Sequence, residues 1–181
     1  MTIDWTRELV EQLDLHWTTQ LRPRLDGLTD DEYLWEPAPG SWNIRPRGAG
    51  GGPGTGGFTV DFEYPQPDPA PVTTIAWRMA HLIVGVFGAR TADHFGGPRY
   101  DYPTHAYAGD AAGGLAQLDE TYAAWVEGVR GLGADDLARP CGSAEGPHAE
   151  APMATLVLHI SREAIHHGAE IALLRDLYAR R

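Results

Sequence analysis

The stretch Pro152–Arg181, PMATLVLHISREAIHHGAEIALLRDLYARR, decides how the rest of the chain is read. At about 100° per residue, Leu156, Ile160, Glu163, His167, Ile171, Leu174 and Tyr178 fall within one arc roughly 100° wide, the stripe a helix turns to a core. A carboxylate and an imidazole share that arc with aliphatic side chains. Taking a carboxylate out of water is costly unless it is paired, protonated or bound to a metal. His159 stands four residues before Glu163 and His167 four residues after it, and residues four apart meet on a helix. Glu163 can therefore hold one ion with His167 or, in its place, with His159. His166 falls nearer the edge of the stripe and reads as a supporting or surface group.

Working outward, the spacing predicts a first helix over Asp4–Leu25, with Trp5, Leu9, Leu13, Trp17 and Leu21 as its stripe. From Asp30 to Pro71 the chain turns to proline and glycine, including GAGGGPGTGG and FEYPQPDPAP, the punctuation of a long loop. Thr73 or Thr74 caps a second helix reaching about His94, apolar nearly all round and so placed inside a bundle. Asp110 caps a third helix to about Val129, and Pro152 opens the fourth. Four helices and no convincing alternating strand predict an all-α four-helix bundle, residues 1–181 as one domain, with a long Gly/Pro-rich loop between helices one and two.

Composition narrows the function. A formal charge of -11 on 181 residues leaves no basic footprint for nucleic acid. The chain contains no lysine, which excludes Schiff-base chemistry and a P-loop lysine. The lone Cys141 excludes an internal disulfide and a cysteine-based zinc ribbon, and it reads as a small residue in a turn. No apolar run nears the roughly 20 residues that span a bilayer, and none reads as a leader, so a cytoplasmic protein with no membrane partner is expected. The segment Gly52–Gly57 formally contains Gly-x-Gly-x-x-Gly. It lies between proline-rich stretches rather than between a strand and a helix, so no dinucleotide is expected there.

His81, in the apolar second helix, supplies a third donor that a bundle brings against helix four. Two imidazoles and a carboxylate leave coordination positions open, as in catalytic zinc and non-haem iron sites. Each residue alone has a plainer explanation: His81 as a hydrogen-bonded core histidine, Glu163 as a surface partner of Arg162 or Arg175. Together on apolar faces they favour a metal. His94 closes helix two, while His16, His105, His148, Glu145 and Glu150 read as packing or solvated groups. The aromatic residues Trp35, Trp42, Tyr100 and Tyr102 suggest a pocket wall or the surface of a homodimer.

IAWRMAHL in helix two and HISREAIHHGAEIALLRDLY in helix four resemble the DinB-like superfamily of metal-binding four-helix bundles, which includes bacillithiol- and mycothiol-dependent enzymes. Glu163-Ala-Ile-His-His167 is similar to the Glu-x-x-x-His of the mycothiol-dependent maleylpyruvate isomerases, in their N-terminal domain. The resemblance implies His81, Glu163 and His167 as metal ligands, with zinc expected and nickel or iron as alternatives. It also implies a low-molecular-weight thiol as second cofactor and a small-molecule electrophile as substrate. The expected activity is a mycothiol-type S-transferase or isomerase, with His159 and His166 as proton-transfer or orienting groups and Arg45 and Arg162 as anchors for acidic ligands. A metal-dependent hydrolase and a non-enzymatic, stress-related ligand-binding bundle are the alternatives.

Overall fold

A computed structural model describes residues 3–181 and is mostly helical. The first helical run, α1 (residues 5–24), begins where the Asp4 side chain accepts from the Arg7 amide at 3.1 Å. Its α-helical part Trp5–His16 widens into a π-helical turn, Trp17–Leu21, before closing over Arg22–Arg24. Steps of four residues overshoot an α-helical turn by about 40° each, so an α-helix alone would rotate a four-spaced stripe off the core. The wider turn keeps Trp17, Leu21 and Leu25 buried. The same drift corrects the stripe at its start: Trp5 is exposed, and Val10 takes the buried place.

A short helix α2 (Asp30–Tyr33), capped by Thr29, opens the connection expected to be a loop. That connection also contains a small antiparallel sheet, β1 (Ile44–Pro46) and β2 (Phe58–Val60), in the register Ile44↔Val60, Arg45↔Thr59 and Pro46↔Phe58. The expectation of no strand is thus corrected. Three-residue strands show no readable alternation, and the segment is held instead by side chains. Asn43 Nδ2 donates to the Leu34 carbonyl at 2.9 Å, its amide donates to Asp61 Oδ2 at 3.0 Å, and its Oδ1 accepts from the Thr74 hydroxyl at 2.8 Å. The glycine run is structural as well: Arg47 donates to the carbonyls of Gly54 and Gly56.

The second long run, α3 (residues 75–95), starts at that same Thr74, whose hydroxyl accepts from the Trp77 amide at 3.2 Å. It too contains a π-helical turn, Leu82–Gly88, and it ends at Gly96 with φ 83. Leu82, Ile83, Val84, Val86 and Phe87 are all buried, as its all-round apolarity requires. Asp110 caps α4 (Ala111–Arg130) by accepting from the Gly113 amide at 2.7 Å. After the short α5 (Ala134–Ala138), α6 (Met153–Tyr178) takes up nearly all of the C-terminal stretch, with Pro152 just outside it as the N-cap residue. The core draws on all four long runs, with α1 and α3 each packed against both α4 and α6.

Arg175 near the end of α6 fastens this arrangement. Its guanidinium meets the buried Glu32 through two nitrogens, at 2.7 and 3.0 Å, and donates further to the Arg24 and Asp26 carbonyls. Among the described residues, no helix is long and apolar enough to cross a membrane.

Candidate metal centre

Packing α3 against α6 brings His81, Glu163 and His167 together, with one donor atom of each within 4.8 Å of the others. His167 is buried, its Nε2 lies 3.5 Å from Glu163 Oε2, and its ring meets the His81 ring edge-on at a centroid distance of 4.7 Å. Donors about 2.0–2.1 Å from a tetrahedral zinc lie roughly 3.3 Å apart. The His167–Glu163 spacing therefore fits a shared ion with little movement. Glu163 keeps 27% of its side chain exposed, so the cluster opens towards solvent on that side.

Both imidazoles are held at Nδ1. His81 Nδ1 lies 2.7 Å from the Tyr102 hydroxyl, and His167 Nδ1 lies 2.7 Å from Glu170 Oε2. Gly85 makes the first contact possible, because a Cβ there would stand 2.4 Å from the Tyr102 hydroxyl oxygen. Burial, followed by the nearby His167 and Arg78, lowers the His81 pKa to about 4. Its ring is neutral near pH 7, the form a metal requires. Burial also raises the Tyr102 phenol to about 12, so it stays protonated there.

Aromatic rings enclose His81. Trp77 stacks on it at 5.8 Å, Trp42 packs on Trp77, and Phe62 bridges Trp42 and Tyr102. Trp77 is fixed by donating Nε1–H to the Asp61 carbonyl at 2.8 Å. The insertion between α1 and α3 thus forms one side of the centre. Tyr102 and Trp42 belong to this wall, whereas Trp35 packs on Tyr178 and Tyr100 on His105.

A second donor group, His166, His167 and Glu170, shares His167 with the first. It suits a cation less well, because Arg78 Nε already stands 3.1 Å from Glu170 Oε2. His166 is largely exposed, lies 3.5 Å from Glu170 and meets the His167 ring edge-on at 5.0 Å. His159 Nδ1 accepts from Arg162 at 2.6 Å and lies 3.5 Å from Glu163 Oε1. Both His159 and Arg162 line a cleft of about 620 Å³ with Arg90, His148, Leu156 and Leu158. Arg45 is engaged elsewhere, by Asp61 at 2.7 Å, Glu36 at 2.9 Å and the Ser41 carbonyl.

Three plainer readings of the sequence change. Glu145 is not a solvated carboxylate: its side chain is 8% exposed and accepts from His94 Nε2 at 2.9 Å. His105 packs between Tyr100 and Tyr107, and its burial lowers its pKa. Cys141 lies not in a turn but beside the Pro140–Pro152 bridge, its amide donating to the Ala151 carbonyl at 2.8 Å, and burial raises its thiol pKa, which suits no nucleophile. Glu170 was hidden from sequence reading, although its three-residue offset from His167 was a usable signal. Tyr102 and Asp61 gave none, since nothing local ties a loop residue to a helix far along the chain.

Neither the curated proteins nor the solved structures yield a match to the chain. A family model described as the DinB superfamily matches residues 59–171, more than half of the sequence, from β2 through all three donors of the cluster. With that match set beside a mostly helical fold whose packing gathers two histidines and a glutamate, the chain belongs to the DinB superfamily, whose members typically bind a divalent metal.

Proposed function

We propose that this protein is a four-helix-bundle metalloenzyme that binds zinc through His81, Glu163 and His167 and transfers a low-molecular-weight thiol to a small electrophile. The observation that carries the reading is the convergence of two imidazoles and a carboxylate at a partly open, aromatic-walled point. Bound there, a divalent ion would supply the Lewis acidity that deprotonates a coordinated thiol near neutral pH.

The chain's own groups divide the remaining work. With Nδ1 accepting from Arg162, His159 has Nε2 left to carry the proton it would deliver within the cleft. Arg162, 70% exposed at the cleft and tied only to its helix neighbours His159 and Glu163, is placed to pair with an acidic ligand, whereas Arg45 is committed to Glu36 and Asp61. His166 lies on the solvent side and orients Glu170 at most. Trp77, stacked on His81, limits water on that face of its ring.

The test is metal analysis of untagged protein, repeated on Glu163→Ala and His81→Ala. About one zinc per chain, lost in both variants while their folding persists, is expected; unchanged stoichiometry in both rejects the ligand set. Thiol transfer is read separately, as tighter binding of a thiol to zinc-loaded than to metal-free protein. Turnover that needs no thiol would replace transfer with hydrolysis.

A further inference from the structure

Glu170 faces His167 from the next turn of α6, with Oε2 2.7 Å from His167 Nδ1. Arg78, on α3, touches both: its Nε is 3.1 Å from Glu170 Oε2 and one terminal nitrogen is 3.4 Å from His167 Nδ1. A single ring nitrogen cannot serve both neighbours, because the carboxylate only accepts and the guanidinium only donates. The contact to Glu170, at 2.7 Å against 3.4 Å, is the shorter and prevails, and Arg78 Nε holds the carboxylate in place. Nδ1 therefore carries the proton and donates to Glu170. In the neutral ring the lone pair is then on Nε2, the nitrogen 3.5 Å from Glu163.

We propose that Glu170 is a positioning residue of the centre: it fixes His167 in its Nδ1–H tautomer and holds the ring so that Nε2 is offered to the ion, while Arg78 holds Glu170 in place. The inference rests on His81, Glu163 and His167 being the ligands. It separates Glu170 from the donors themselves. As a ligand, Glu170 would have to give up Arg78, and His167 would have to turn its other nitrogen to the metal.

Two measurements test this. In metal-free protein, long-range ¹H–¹⁵N NMR, with His167 assigned through His167→Gln, should show Nδ1 protonated in the wild type. A wild-type spectrum with the proton on Nε2 overturns the proposal. In chelator competition with Zn²⁺ and Co²⁺, Glu170→Ala should bind roughly 10–100-fold more weakly. Glu170→Gln, which keeps an acceptor oxygen and the fold, should recover part of the loss. The Co²⁺ absorption spectrum of both variants should match the wild type, because the donors are unchanged; a changed spectrum would make Glu170 a ligand and refute the positioning role. If Glu163→Ala abolishes binding while Glu170→Ala binds within twofold of wild type, only the role of Glu170 fails. If Glu163→Ala binds as the wild type does, the ligand set fails first, and this inference with it.

Discussion

Gly85→Ala sets a favourable and an unfavourable effect against each other at the edge of the centre. Alanine gains up to about 1 kcal/mol over glycine inside a helix. Against this, the new Cβ would lie 2.4 Å from the Tyr102 hydroxyl oxygen, 3.3 Å from its Cζ and 3.3 Å from His81 Nδ1. The hydroxyl must retreat by about 1 Å to reach ordinary contact, which strains or breaks its 2.7 Å hydrogen bond to His81. Overpacking costs about 1–3 kcal/mol and a broken hydrogen bond about 1 kcal/mol more. The clash wins, with a net loss of about 1–3 kcal/mol and a Tm lower by roughly 2–12 °C for a chain of this size. Zinc affinity should fall by about tenfold, because His81 loses the partner that orients it. Thermal and urea unfolding of the metal-free protein, in a cycle with Tyr102→Phe, isolates the cause. Removing the hydroxyl removes the closest contact, so the double variant should be more stable than the sum of the singles by about 1 kcal/mol or more. Additivity within about 0.5 kcal/mol, or a Tm for Gly85→Ala at or above wild type, would refute the reasoning.

Arg175→Ala should destabilise the protein by about 3–5 kcal/mol in urea unfolding, because it leaves the buried Glu32 carboxylate uncompensated. Glu32→Ala should cost less, since the more exposed Arg175 keeps its carbonyl acceptors at Arg24 and Asp26; equal losses would show that the two ends are not unequally buried. Burial lowers the pKa of His105 and of His16, so the unfolded chain takes up protons on both at a higher pH than the folded one does. Their contribution to stability is complete above the ordinary histidine value of about 6.5 and is lost as pH falls through the lowered folded values. His105→Gln should flatten the decline in unfolding free energy below pH 6.5, and an unchanged slope would exclude that residue as a source.

Much of the scaffold was legible because helices announce themselves locally. Asp110 caps the helix assigned to it, Thr74 takes the place that Thr73 could equally have filled, and the apolar residues Leu82, Ile83, Val84, Val86 and Phe87 are buried as the composition demands. The His-Glu-His cluster was legible in part: periodicity puts Glu163 and His167 on one apolar face, where a polar group needs an explanation, but His159, equally four residues from Glu163, stayed open until the fold placed His167 against His81. The small sheet stayed hidden because its strands are too short to alternate and are held by Asn43, Arg45 and Asp61 across gaps in the chain. The pairing of Glu145 with His94, which covers most of its side chain, was not legible because the two lie 51 residues apart.

By itself the sequence determined the long helices, most of their buried faces and the chemical type of the clustered side chains, since these depend on backbone periodicity and side-chain chemistry within a few turns. Only the tertiary structure decided which nitrogen of each histidine is taken, by Tyr102 and by Glu170 under Arg78, and that the Gly/Pro-rich insertion walls the site. Those outcomes depend on distances of a few ångströms between segments far apart in the chain, which local pattern does not encode.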